Sequence, residues 1–499
     1  RFYCLTFNFS VKIYRSIDTL MASIKKNFLY SSALTVSGYI FPFITYPYVS
    51  RVLGVNNIGI CNFVDSIINY FILFSMLGIS VLGVREIAKA NGDFVRLSRT
   101  FSELLGLNAI FVVISLIVLC ISIFLVPQLY VYKSLMFIGV LKLVFNFLQV
   151  EWFFQGIENF KYVTFRGLSI KILYVFLVFI FIRDSSDYPI YYLLTVLIIV
   201  LSALINIIYS RKFAKFSWRK FSFRHYIRPF CILGIYALLT SMYTTFNVAY
   251  LGFTSNEVEV GYYTTATKLY TILLALFTAF TSVMIPRMSS LVAENKMEEF
   301  KKLSQKSSNI LFGFSIPLII YASVYAPYII NLIAGMGYEG AILPMRIILP
   351  LVLVIGYEQI LICHILMPLK KDKAVLMNSV LGASVGIIFN ILLVSHWGSV
   401  GSSIVWLLSE IIVLSSAQYY VFKYLSLSFP YNVLIKNILY MLPLAILLIL
   451  CSMGISSLLL LLFIGACITI AYSFVVQIYV IRNEFVIDII SKFKKKWKK

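Results

Sequence analysis

Charge is scarce in this chain. Only 12% of its 499 residues are Asp, Glu, Lys or Arg, against 61% hydrophobic, and the mean hydropathy is +0.93. A soluble protein of this length divides into domains whose surfaces carry about a quarter charged residues, so that class is excluded. Acids are the rarer sign, 20 against 42 Lys and Arg. Paired cysteines are also missing. Cys4, Cys61, Cys120, Cys231, Cys363, Cys451 and Cys467 stand singly with no C-x-x-C, all but Cys4 in or beside apolar runs. This excludes a disulfide framework or zinc site and leaves small buried hydrophobes. The first twenty residues lack the apolar core and small-residue cleavage site of a signal peptide. Residues 1–24 are expected to be an upstream or disordered tail, with Met21 before "ASIKKNFLY" the more natural start.

Long apolar runs are abundant, and about 20 apolar residues suffice to cross the hydrocarbon layer as a helix. Spans are expected near 28–49, 58–82, 103–126, 134–156, 167–182, 189–209, 229–252, 262–286, 310–333, 344–367, 375–394, 400–422, 436–453 and 455–481. The fold class is therefore an all-α integral membrane protein with about 14 transmembrane helices.

The connections alternate in charge. One set is basic: "KK" at 25–26, "REIAKANGDFVRLSR" at 85–99, Lys161 with Arg166, 211–228, 287–306, "KKDK" at 370–373 and the tail "KFKKKWKK". The other set is short, with Arg51, Lys133 and Arg183 its only cations. The positive-inside rule then puts the basic set and both termini in the cytoplasm. The net charge of +22 follows from that topology, needs no nucleic-acid partner, and leaves the tail able to touch anionic membrane lipids.

The chain also repeats itself. Leu53-Gly54 and Leu251-Gly252 each end a span, Gly59 and Gly261 open the next, and Arg85 and Arg287 follow 26 residues later (85−59 and 287−261). Two parallel repeats are expected: an N-terminal six-helix bundle at 25–210, a basic cytoplasmic linker at 211–228 and a C-terminal six-helix bundle at 229–425. Two extra helices at 436–481 and a basic cytoplasmic tail at 482–499 complete the division.

Polar residues recur at helical spacing inside four spans: Asn62, Asp65, Ser66 and Asn69; Lys142, Asn146 and Gln149; Thr240, Tyr243, Thr244 and Asn247; Thr264, Thr267, Lys268 and Thr271. Lipid does not tolerate such stripes, so each faces another helix or a wet cavity. Interhelical hydrogen bonding is the plainer reading. Asp65, Lys142 and Lys268 favour the cavity, because a mid-span ammonium cannot easily snorkel. Among other ionisable groups, Glu358 and His364 are six apart and do not share a face. Glu410 is mid-span, with ion coupling and simple pairing equally open. Lys171 is expected to snorkel from a cytoplasmic end, and Glu151 to act as an interfacial anchor beside Trp152.

The stretches "YPYVSRVLGVNNIGICNF", "LGISVLGVREIAK", "EWFFQGIENFKYVTFR", "VGYYTTATKLY", "VMIPRMSSL" and "SSIVWLLSEIIV" resemble, in order, the signatures of the polysaccharide or O-antigen flippases (Wzx type). These share a superfamily with the multidrug and toxin extrusion (MATE) pumps and the lipid II flippase. The resemblance implies a MATE-like fold, two six-helix bundles around a central cleft plus two C-terminal helices. It also implies a bacterial cytoplasmic (inner) membrane protein that moves polyprenyl-diphosphate-linked oligosaccharide repeat units to the outer leaflet for O-antigen, capsule or exopolysaccharide synthesis. No cofactor is implied, and a polysaccharide polymerase and chain-length proteins are the implied partners. Arg51, Lys142 and Lys268 would meet the diphosphate through charge-assisted hydrogen bonds, and Asn69, Asn146, Gln149 and Asn247 the sugars.

One position departs from the pattern. The family often has an Asp-Lys pair where "TFNVAYLGF" has Asn247 and Val248, so Asp65 becomes a substitute candidate for ion coupling, beside Glu358 and Glu410. For Arg51, phosphate contact and a role as cap or lipid partner both stand. A multidrug or cation antiporter would favour acids over Lys142 and Lys268. A membrane polysaccharide polymerase or ligase would need a large outer loop, whereas the outer connections have about a dozen residues or fewer and hold no nucleophile–base pair.

Overall fold

A computed structural model describes residues 2–216, 222–483 and 487. The side chains of the expected tail at 1–24, the centre of the basic linker and most of the basic tail lie outside the described residues.

Among the described residues the secondary structure is helical throughout, without strands. This follows from the solvent: in hydrocarbon each peptide group must find its partner within the segment, which a helix provides. Eleven helical stretches are long and apolar enough to span a membrane, against the fourteen spans expected. Two of them, Leu29–Ala90 with 62 residues and Asp372–Leu425 with 54, are each more than twice the length one crossing needs. Each is bent at a glycine in a conformation other residues avoid: Gly54 at φ 75° and Gly398 at φ 52°. The Glu257–Ala293 helix adds a further 37 residues.

The chain forms two compact units. The first comprises residues 1–45, 68–183 and 189–235; the second comprises 46–67, 184–188 and 236–499. Residues 46–67, which the sequence places at the end of the first span and the start of the second, thus belong with the later half of the chain.

In the first unit the "EWFFQG" stretch folds as the short helix Glu151–Gly156, with Trp152, Phe153 and Phe154 buried. Phe101 and Phe153 meet at 4.6 Å between ring centroids, and Phe154 meets Tyr162 at 4.8 Å. Gly83 makes room for the indole, since a Cβ there would come 2.5 Å from a Trp152 ring carbon. The second unit has a core built from Leu311, Phe312, Tyr357, Ile360, Leu361 and Met441, among others.

Candidate functional site

In the first unit, Lys142 Nζ donates to Asn69 Oδ1 at 2.8 Å, so the stripes of the second and fourth spans meet. Lys142 lies on the Lys133–Asn146 helix, and the α-helical face ends with Asn146. Phe147–Gln149 is a 3₁₀ turn, and Val150 then adopts φ 39°. In a 3₁₀ turn residues three apart eclipse, and Gln149 Nε2 sits 3.4 Å from Asn146 Oδ1. Gln149 thus stays beside Asn146, as the helical count expected, but through a tighter turn than an α-helix. The Gln149 carbonyl accepts from the Asn206 amide, whose Oδ1 accepts from Tyr162 Oη at 2.8 Å.

The structure changes the expectation for Lys171 and adds a partner to Glu151. Lys171 does not snorkel: its Nζ turns inward to donate to Ser37 Oγ at 2.8 Å and the Leu34 carbonyl at 3.4 Å. Glu151 is ion-paired with Arg166 at 2.6 Å, and the Arg166 side chain is only 7% exposed. Sequence spacing gave no sign of this pair, which is 15 residues apart across a helix boundary.

The second unit brings two more stripes together. Asn62 Nδ2 donates to Thr264 Oγ1 at 3.0 Å. One turn further along each helix, Asp65 and Lys268 are within electrostatic reach of each other. The Lys268 ammonium also lies over the Tyr46 ring, 5.4 Å from its centroid, within the range of a cation–π attraction. Tyr46 Oη is itself 2.6 Å from Thr265 Oγ1. The two repeat glycines explain how the helices approach. A Cβ on Gly59 would lie 1.7 Å from the Glu257 carbonyl oxygen, and one on Gly261 would lie 2.4 Å from that of Val55.

The other hydroxyls of these stripes mostly bond to their own helix. Thr240 donates to the Tyr236 carbonyl, Thr244 to that of Thr240, and Thr271 to that of Thr267. Asn247 is fully buried, donating to Tyr263 Oη at 3.3 Å and accepting from Asn390 Nδ2 at 2.8 Å. Both of those partners belong to the protein interior.

Arg51 caps a helix. Its Nη1 donates to the Pro47 carbonyl at 2.7 Å, and its Nη2 to the carbonyls of Leu332 at 2.5 Å and Asn331 at 3.3 Å. The latter two lie at the end of the Ala326–Ile333 helix, where the Asn331 carbonyl also accepts from Gly335 N at 3.0 Å and a cation is favoured by the helix dipole. The neighbouring Ser50 donates to the Ile333 carbonyl at 3.2 Å, so the "SR" of "YPYVSRVLG" docks this helix end.

The acids of the second unit pair in a way that spacing did not reveal. Glu358, on the Leu351–Gln359 helix, and Glu410, on Ser395–Leu425, lie within hydrogen-bonding reach of each other. Glu410 Oε1 accepts from Trp406 Nε1 at 3.0 Å. His364, considered with Glu358 in the sequence, instead sets Nε2 3.3 Å from the Thr281 carbonyl. Among the described residues, no group of three His, Cys, Asp or Glu is placed to hold a metal ion.

Comparison with known proteins agrees with this architecture. Two proteins named "Putative O-antigen transporter" are similar. The one from Escherichia coli (strain K12) is 25% identical over 405 residues, covering 80% of this chain and 97% of the relative. The one from Shigella dysenteriae is 25% identical over 409 residues, covering 78% and 98%. Among solved structures, the lipid II flippase MurJ in an inward closed conformation superposes with a TM-score of 0.75 at 16% identity, covering 91% of this chain and all of that one. An outward-facing MATE family multidrug resistance transporter of the MOP superfamily gives a TM-score of 0.52 at 13% identity, covering 79% and 94%. These establish the fold as that of the MurJ and MATE transporters. The family model described as "Polysaccharide biosynthesis protein" matches residues 24–292, more than half of the sequence, and the chain belongs to that family.

Proposed function

We propose that the protein is a flippase for polyprenyl-diphosphate-linked oligosaccharide repeat units, carrying them from the cytoplasmic to the outer leaflet by alternating access. The supporting observation is one ammonium within the polar stripes of each unit: Lys142 donating to Asn69 in the first, and Lys268 within electrostatic reach of Asp65 in the second. An ammonium in low dielectric is costly unless it has an anionic function, and a diphosphate supplies one. Asn69, Asn146 and Gln149, all at least partly accessible, are the proposed sugar contacts. Arg51 keeps donors beyond its cap bonds for a phosphate at the membrane surface. Asn247 is proposed to hold the unit together, with sugar contact confined to a conformation that exposes it.

The family membership and the two relatives support the substrate class; the basic connections support an inner-membrane placement with both termini in the cytoplasm. A polymerase and its chain-length proteins are the proposed consumers of the flipped product. The relatives' names, which are those of transporters, favour transport over an enzyme, and a cation antiporter would be expected to favour acids over Lys142 and Lys268.

The test is extraction of lipid-linked oligosaccharides from cells without the protein, with wild type, and with a Lys142→Ala, Lys268→Ala double variant. Accumulation of repeat units facing the cytoplasm in the first and third, with clearance by wild type, is the expected result. Normal clearance without the protein, in a strain with no redundant flippase, would turn the reading to an antiporter.

A further inference from the structure

The second unit contains a buried polar cluster that substrate recognition does not use. Its centre is Glu358 facing Glu410. Glu358 Oε2 and Tyr270 Oη, which is within electrostatic reach of both acids, are inaccessible and have no hydrogen-bond partner, and the same holds for Gln359 Oε1 and His364 Nδ1 further along the Glu358 segment. Native interiors leave few such atoms, and each asks for an explanation. The backbone is irregular at the same place. Ile360–Leu366 is a π-helix starting two residues after Glu358, and π-turns inside helices concentrate at functional positions because they shift helical register.

We infer that Glu358 and Glu410 together form a single proton-binding site whose occupancy sets the packing of the Leu351–Leu366 segment against the Ser395–Leu425 helix. The chemistry is direct. An ionised carboxylate only accepts hydrogen bonds, so two carboxyls bonded to each other must hold a proton between them. Without it, two negative charges in a low-dielectric interior repel. Among the described residues neither acid is ion-paired with a cation: the groups within electrostatic reach are Tyr236 and Tyr243 of the Arg224–Thr244 helix, Tyr270 of Glu257–Ala293, and Cys363 of the π-helix. The indole of Trp406 donates to Glu410 and its ring meets Tyr270 at 4.9 Å between centroids, so Glu410 is held in place while Glu358 sits beside the irregular turn. Direct contact between the carboxyls also argues against a metal ion, which would need them spaced around it with further ligands. Proton loss would therefore separate the Glu358 segment from Glu410, and proton binding would restore the contact. As a coupling device this rests on the transport reading above; as a proton site it does not.

The experiment uses the full-length protein in lipid nanodiscs, without substrate. Infrared spectroscopy reads the protonated-carboxyl C=O stretch over a pH series, and hydrogen–deuterium exchange reads amide protection across residues 351–366. Wild type is expected to show a deuterium-sensitive protonated-carboxyl band that disappears at high pH, with protection of 351–366 falling over the same range. Glu358→Gln and Glu410→Gln each keep a donor to the remaining carboxyl and should fold. Each should lose the band and keep the segment protected throughout. A band unchanged in both variants would overturn the proton site. A band lost in the variants while wild-type protection does not change with pH would overturn the switch. Lipid-linked oligosaccharide extraction separates the two readings, since a deletion strain without accumulation removes the flippase while leaving the carboxyl band intact.

Discussion

Asn62 donates to Thr264 at 3.0 Å, joining two residues 202 positions apart, the same offset that separates Gly59 from Gly261. Beside this bond Gly59 and Gly261 let the helices approach until a side chain on either would strike backbone. Gly59→Ala must push the Glu257 carbonyl away. The expected cost is about 1–3 kcal/mol, as for other overpacked sites, read as a lower unfolding temperature in detergent than for Gly454→Ala, an exposed position where a Cβ meets nothing.

Lys142→Ala removes a charge-assisted hydrogen bond of about 1.5–3 kcal/mol to Asn69 and to any phosphate in its place. Clearance of lipid-linked oligosaccharide is expected to drop by roughly 10- to 100-fold, with Lys142→Arg retaining part of it. Equal clearance by Ala and wild type would take Lys142 out of the substrate site.

Asp65 and Lys268 are expected to be coupled. In a double-mutant cycle of Asp65→Asn and Lys268→Gln, scored by transport, the loss in the double variant should fall short of the summed single losses by about 0.5–3 kcal/mol. Strict additivity would mean that Asp65 acts apart from Lys268. Normal transport by Asp65→Asn alone would remove Asp65 as an ion-coupling residue.

Arg51 and Asn247 are expected to serve both stability and transport. Arg51→Lys keeps the charge but loses the planar fork that serves Leu332 and Asn331. Asn247→Ala leaves the Asn390 amide without its acceptor at this point. Each should lower the unfolding temperature by an amount corresponding to about 1 kcal/mol, and clearance per folded protein should fall as well, through the weakened phosphate contact of Arg51 and the lost sugar contact of Asn247. A stable Arg51→Lys protein that fails to clear substrate would show that Arg51 meets phosphate.

Composition alone makes this a multi-span helical membrane protein. Twelve per cent charge over 499 residues leaves no other solvent for so many apolar runs, and the apolar period is local information. The sequence also located the polar stripes, because a residue that lipid rejects must face inward whatever its partner is. Partners were another matter. That Asn69 meets Lys142, that Asn62 meets Thr264, and that Glu358 answers to Glu410 and not to His364 depends on which helices lie side by side. Helical spacing is silent about neighbouring helices. Backbone irregularities were equally hidden: the helix tightens into a 3₁₀ turn at Phe147–Gln149 before the left-handed Val150, and the π-helix at Ile360–Leu366 reset the register after Glu358. Arg51 and Lys171 show the same limit, since an unpaired cation reads as a ligand group or a snorkel until the tertiary structure brings a helix end or a serine to it. Composition and period are properties of a segment; hydrogen-bond pairing belongs to the packed fold, where burial forces each polar group to find whichever partner is nearest.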